Sequence, residues 1–340
     1  MDTKTQTNPA TPNAETGCWS DWHAPEQPLR IGVSTCLLGE NVRYDGGHAR
    51  ARFVTDTLSR WFEFVPVCPE VEVGMSTPRP TIRLVDEGQG VRLVAPSTGE
   101  DFTERMNDFG DARIAKLKQL DLDGYILKRN SPSCGMERIK AYRSGMPARR
   151  SDSGLFAAKL IELWPGLPLE EDGRLNDPQL RENFIERVFC RNRWRGLVGG
   201  GLTRRRLVAF HTAHKLLLLA HNEAAYRRLG KLVGSAGTLP DSELFARYET
   251  EFQSALRMKA TVARHVNVLQ HAMGHLKTLL PASEKREVHA AIDDYQAGLL
   301  PLIVPMTLMR YNIRRYSIAY LAGQLYFDPH PKELMLRNHA

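Results

Sequence analysis

The 340-residue chain has few cysteines and none in pairs. It has five in all, no two of them spaced as Cys-x-x-Cys, so the paired knuckles of most structural zinc sites are missing and a disulfide framework has no basis. An odd set of unpaired thiols belongs in a reducing compartment, and a cytoplasmic protein is expected. No apolar run approaches the roughly 20 residues of a membrane helix, so no membrane association is expected. The first 26 or so residues lack the apolar core of a signal peptide; residues 1–27 read as a disordered tail in which Cys18 is incidental. The second half of the chain shows no internal repeat. His271 and His275 have the spacing of a zinc helix, but no Glu follows His271, so the metalloprotease pattern is absent. Acidic residues are also missing from one stretch: Arg187 to Arg206 holds seven arginines and no Asp or Glu.

What is present suits a globular chain of two cores, with 42% hydrophobic and 25% charged residues. The net charge of +7 is unevenly placed. Residues 200–340 carry 19 Lys and Arg against 11 Asp and Glu, a surplus of +8, while the first 199 residues carry 27 against 28.

Three apolar runs each end in a cysteine: Ile31 to Cys36, Phe64 to Cys68, and Asp123 to Leu127 followed by Asn130-Ser131-Pro132-Ser133-Cys134. Ligands of open α/β sheets gather outside the carboxyl ends of the strands, so three strand-end cysteines can converge although distant in sequence. Three thiolates suit a [4Fe-4S] cluster with one open iron, while zinc, or three small buried residues, remain alternatives. Between these runs we expect a helix over 48–62, a hairpin over 81–94, a helix over 101–120, a polar stretch to 153 and a helix over 154–163. The fold class is α/β, an N-terminal three-layer (Rossmann-like) domain over 28–170, followed by an all-α domain. A basic connector spans 171–202 with a helix from about 178 to 193. Helices over 203–229, 239–256, 261–280, 283–298 and 304–325 make up the C-terminal domain, 203–340.

The residues Ser34-Thr35-Cys36-Leu37-Leu38-Gly39, Val42-Arg43-Tyr44-Asp45-Gly46, Pro66-Val67-Cys68-Pro69-Glu70, Thr77-Pro78-Arg79-Pro80 and Ser131-Pro132-Ser133-Cys134-Gly135 resemble the thiouracil desulfidase (TudS-like) family over about residues 28–165. Beyond it, Phe210 to Leu217, His265 to His271 and Gly298 to Pro305 resemble a helical domain found fused to that family, as in the tRNA 4-thiouridine desulfidases (RudS-like). The resemblance implies an iron–sulfur enzyme that removes sulfur from 4-thiouridine in tRNA, with Cys36, Cys68 and Cys134 holding a [4Fe-4S] cluster. It makes Glu70 the acid–base group and Ser131 the functional serine, with Ser34, Arg43, Tyr44, Asp45, Lys128 and Ser133 shaping the pocket.

From the residues alone, Glu70 is either a strand-end carboxylate in solvent or a partly buried proton-transfer group with a pKa brought toward neutrality. The arginine-rich stretch is either a solvated basic helix or a phosphate-binding surface, with Phe189 and Trp194 available to stack on unpaired bases. We expect the second, and so tRNA contacts from Arg193, Arg195, Arg204, Arg205 and Arg206; His211, His214 and Lys215 extend the surface, the two histidines being alternatively buried and hydrogen-bonded. Two rival functions stand beside the leading one: desulfuration of free thiouracil or a thionucleotide, and a non-catalytic nucleic-acid-binding metal or redox sensor. The oligomeric state is not legible.

Overall fold

A computed structural model describes residues 29–338, apart from 89, 144, 145 and 152. The expected tail and Cys18 lie outside the described residues. The central element is a parallel sheet in the order β2-β1-β5-β8, with β1 Leu29–Ser34, β2 Phe62–Val67, β5 Gly124–Leu127 and β8 Leu169–Glu171. β1 and β5 are covered on both faces, which is why both read as continuous apolar runs. Gly32 permits their close approach, since a Cβ there would lie 2.2 Å from the Tyr125 ring. The register pairs Ser34 with Val67, Val33 with Ile126 and Leu127 with Glu171. All four carboxyl ends therefore come out along one edge.

After β1 the chain turns at once. β1 stops at Ser34, and Thr35–Leu38, which carry the end of the apolar run, form a 3₁₀ turn closed by Gly39 at φ 99°. The expected helix over 48–62 does not form either. Ala49 and Ala51 donate their N–H groups to the Cys36 and Leu37 carbonyls, which holds 49–51 against the cysteine turn and leaves only a π turn (Phe53–Thr57) and a 3₁₀ turn (Leu58–Arg60). A short helix, α1 (Pro69–Glu72), follows β2.

The expected hairpin is β3 (Arg83–Asp86) with β4 (Val91–Val94), and the expected helices are α2 (Thr103–Gln119) and α3 (Leu155–Leu163). The polar stretch after Cys134 is instead two strands, β6 (Ile139–Arg143) and β7 (Met146–Ser151), completing a second sheet in the order β4-β3-β6-β7. Ile139 and Ala141 are buried while Lys140 and Tyr142 point out; basic residues on the outer face hide this alternation. Tyr125 and Leu127 pack toward α2 and α3, and Ile31, Val33 and Ile126 toward the opposite side. The N-terminal domain is thus layered as expected.

That opposite side is covered by α4 (Pro178–Gly199), a 22-residue helix begun by the Asp177 side chain, which accepts from the Gln179 and Leu180 N–H groups, and by Pro178 in its first turn. The expected basic connector is really this buried element. Phe184, Ile185 and Val188 pack with β1, whereas Cys190, Trp194 and Leu197 belong to the core of the second domain. The glycine run at its end is held in place: α4 continues to Gly199, and Arg206 donates to the carbonyls of Gly200 and Gly201.

From Arg204 the described chain is helical: α5 (Arg204–His221), α6 (Glu223–Gly234), α7 (Asp241–Leu256), α8 (Val262–Leu276), α9 (Ala282–Gln296), α10 (Ile303–Arg315) and α11 (Ala319–Ala322). Asn222 splits the expected 203–229 helix by accepting from the Ala225 N–H as a cap. No described helix is long and apolar enough to cross a membrane. The C-terminal segment returns to the first domain, where Leu334 and Leu336 join the core beneath β1. Arg337 anchors it on α4, 2.7 Å from Glu182 and 2.5 Å from Glu186.

Candidate active site

The edge where β1, β2 and β5 end opens onto a cavity of about 380 Å³, lined by Cys36, Cys68 and Cys134 together with Ser34, Arg43, Tyr44, Glu70, Arg79, Lys128 and Ser131. Each cysteine sits on a different turn. Cys36 is on the 3₁₀ turn after β1, and Cys68 directly precedes α1, its N–H bonded to Glu72 Oε1 at 3.1 Å. Cys134 is on the 131–135 turn, which caps α3: Leu155 and Ala157 donate to the Pro132 and Ser133 carbonyls. A Cβ at Gly154 would lie 2.7 Å from the Ser133 backbone, so only glycine lets that turn seat there.

Burial pushes the Cys36 thiol up to about 11, against the pull of Lys128. It raises Cys68 as well, and it carries Cys134 well above the ordinary thiol range, with Glu70 acting in the same direction and a hydrogen bond with Ser34 opposing. Thiolates at these positions need a compensating cation. Among the described residues, the group of possible ligand atoms lying within 4.8 Å of one another is Glu182, Glu186 and His330, not the cysteines. The three cysteines line one cavity, and a three-thiolate donor set fits an iron–sulfur cluster with one iron left open. The Glu182 group is neutralised from within, because Arg337 bridges both carboxylates and His221 Nε2 lies 3.0 Å from Glu186.

Glu70 projects from the first turn of α1 into the cavity. Its Oε2 accepts from Arg79 Nε at 2.9 Å and Nη2 at 2.5 Å, and its Oε1 accepts from Ser133 Oγ at 2.9 Å. Ser131 Oγ is farther from Oε1, at 3.5 Å, and accepts from the N–H groups of Ser133 and Cys134 at 3.2 and 3.1 Å. Of the two serines, Ser133 is thus the direct partner of the carboxylate, and Ser131 builds the turn that carries Cys134. Sequence reasoning missed Arg79 as a site residue, although its Thr-Pro-Arg-Pro stretch was one of the motifs that carried the resemblance.

Other expected pocket residues fall into place around this group. Ser34 Oγ accepts the Lys128 N–H at 3.0 Å, and Lys128 Nζ lies 3.4 Å from Asp172, which the sequence did not point to. Tyr44 is 44% exposed, with the Arg43 guanidinium 5.7 Å from its ring centre. Asp45 does not line the cavity; it holds Arg43 at 2.9 Å and the Gly47 N–H at 3.1 Å.

The proposed RNA surface fares differently. Trp194 is 2% exposed, between Phe210 and Tyr248, and Phe189 is equally buried, so neither can stack on a base. Arg193 is buried and donates to the Pro329 carbonyl. Arg195 is committed to Asp123 at 2.6 Å. His211 is buried with Nδ1 3.1 Å from the Tyr248 hydroxyl, and burial lowers its pKa to about 4, so it offers phosphate no charge near neutrality. His214 is buried, with Nδ1 against the Phe210 carbonyl at 2.7 Å. Arg204 pairs with the exposed Asp241 at 2.6 Å; Arg205 is exposed, and Arg206 and Lys215 are half-buried.

Residues 31–172 match the 2-thiouracil desulfurase family, and residues 215–331 match a family of proteins of unknown function, DUF1722. The "uncharacterized protein YbbK" of Bacillus subtilis (strain 168) is 32% identical over 153 residues, which cover 43% of this chain and 98% of that protein. The "uncharacterized protein YbgA" of Escherichia coli (strain K12) is 29% identical over 165 residues, 48% of this chain and 98% of that protein. A solved structure of the [4Fe-4S]-dependent thiouracil desulfidase TudS is 28% identical, covers 44% of this chain and 94% of its own, and superposes with a TM-score of 0.36.

Proposed function

Because the chain belongs, through residues 31–172, to the 2-thiouracil desulfurase family, we propose that it is a desulfidase whose thiolated base is 4-thiouridine in tRNA. Cys36, Cys68 and Cys134 would hold a [4Fe-4S] cluster, and the observation that carries this reading is that three strand-end thiols and Glu70 line one cavity. When bound, such a cluster supplies a Lewis-acidic iron for the thiocarbonyl sulfur.

The protein's own residues do the rest. Lys128 and Arg43 line a cavity whose size suits a single base, and Tyr44 at its exposed rim offers a flat face to a base turned out of its stack. Glu70 Oε1 takes a proton from the water that adds to the ring carbon and returns it as the carbon–sulfur bond breaks. Thiocarbonyl and water become carbonyl and hydrosulfide with no net electron transfer. The +8 surplus of residues 200–340 supports attraction to tRNA phosphates. After the burial of Arg193, His211 and His214, that attraction is assigned to Arg205, Arg206 and Lys215 with the remaining exposed cations of the helical domain.

The cavity is also large enough for a free thiobase, which favours the small-molecule reading as the runner-up. Incubating the anaerobically prepared protein with bulk tRNA and, separately, with free thiouracil separates the two. Loss of 4-thiouridine from tRNA digests supports the first reading; turnover of the free base alone replaces it with the second.

A further inference from the structure

Arg79 is the most fully engaged side chain in the cavity wall. A guanidinium has five N–H donors. Here Nε and Nη2 reach Glu70 Oε2, Nη2 also reaches the Val42 carbonyl at 2.9 Å, and Nη1 reaches the Ser76 carbonyl at 3.2 Å and Thr77 Oγ1 at 3.1 Å. Every donor therefore has an acceptor of the protein, and the side chain is only 4% exposed. A cation in a binding pocket ordinarily keeps a donor for its ligand; this one has none left. Its backbone N–H is committed too, to the Tyr44 carbonyl at 2.9 Å.

We infer that Arg79 is a positioning residue, which acts on the reaction only through Glu70. By occupying Oε2 it decides which carboxylate oxygen handles the proton. Oε1 accepts only from neutral hydroxyls, Ser133 at 2.9 Å and Ser131 at a long 3.5 Å, so it is the less committed oxygen and the one from which water can displace a weak partner. The same guanidinium ties Glu70 to the loop that carries Arg43 and Tyr44, so the proton-transfer group and the wall that meets the base are set by one side chain. A planar fork on a short, buried tether suits that task; a lysine would supply the charge without the ties to Val42 and Ser76.

The inference rests on the desulfidase reading, and two measurements keep their failures apart. The first is a double-mutant cycle in the full-length, cluster-loaded protein. Arg79→Gln should lower kcat about 10²-fold, the scale of a small misplacement of a reacting group, with KM and the visible absorption of the cluster little changed, and Arg79→Lys should recover part of the loss. In a Glu70→Gln background, Arg79→Gln should cost nothing further. A full additional loss in that background, or a change confined to KM, would show that Arg79 acts on the substrate directly and would overturn the inference. The second needs no turnover. In the metal-free protein labelled with ¹⁵N-arginine, one Nε–H should exchange slowly with solvent and vanish or shift in both Glu70→Gln and Arg79→Gln. Its absence from the unmodified protein would overturn the pairing itself, whereas its presence in a protein inactive on every thiolated base would retain the pairing and remove the desulfidase reading.

Discussion

At the residue scale the cavity separates two serines that look interchangeable in Ser131-Pro132-Ser133-Cys134. Ser133→Ala removes the hydroxyl bonded to Glu70 Oε1 and should leave iron content unchanged while turnover falls. Ser131→Ala removes the acceptor for the Ser133 and Cys134 N–H groups, so it should lower iron content first. Glu70→Gln should keep the cluster and lose about 10²- to 10⁴-fold in rate, the usual contribution of a proton-transfer group. Equal iron content with a rate loss only in Ser131→Ala would reverse the two assignments. Cys36 gives a test by pH. Its thiol is raised to about 11, so in the metal-free protein the thiolate fraction is small at neutral pH and grows about tenfold per pH unit below that value. Alkylation of the Cys36 peptide, followed by mass spectrometry, should keep accelerating to about pH 11; a plateau near pH 8.5 would mean an exposed, unperturbed thiol. The three strand-end cysteines were legible because strand ends and turn residues are local signals, whereas Glu70 was singled out by the family resemblance, since a strand-end carboxylate reads equally as a solvent-facing one. Arg79 was not, because its role depends on Val42, Ser76 and Glu70 meeting it in space.

At the element scale α4 is where sequence reasoning went furthest astray. Arg187, Arg191, Arg193 and Arg195, with no acidic residue among them, suggested a phosphate-binding surface, yet Arg193 and Arg195 find their acceptors in Pro329 and Asp123, more than 70 positions away. No local pattern announces such partners. The consequence is a shared core helix, and changes in it should be costly. Trp194→Ala should destabilise the protein by about 3–5 kcal/mol, as large aromatic truncations in cores do. Arg337→Met should cost a similar ~3–5 kcal/mol by leaving Glu182 and Glu186 without their shared guanidinium. Urea unfolding measures both; losses under 1 kcal/mol would place these side chains outside the core. By contrast α2, α3 and the β3–β4 hairpin were readable, since their apolar spacing and glycine turn are contained within the element, while the outward-facing charges of β6 masked its period of two.

For the whole molecule, the cores of the two sequence domains share elements. α4 serves both cores, and Leu334 and Leu336 return to the first. A chain cut after Gly199 would expose Cys190, Trp194 and Leu197 and strand Glu182 and Glu186 without Arg337, so it should fail to accumulate as a folded catalytic unit. Attraction to tRNA is better examined in the intact chain, where Arg205→Glu with Lys215→Glu should raise KM for tRNA and flatten its dependence on salt, because fewer counterions are released. An unchanged salt slope would place the contact elsewhere. The most direct test of the role given to the strand-end cavity is anaerobic reconstitution of the full chain and its Cys36→Ala, Cys68→Ala, Cys134→Ala and Cys190→Ala variants, each assayed for iron, sulfide and release of hydrosulfide from thiolated substrate. We predict about four irons per chain, as a [4Fe-4S] centre requires, with both iron and hydrosulfide release lost in the first three variants and kept in Cys190→Ala. Hydrosulfide release that persists without Cys36, Cys68 or Cys134, or zinc in place of iron after anaerobic reconstitution, would contradict it.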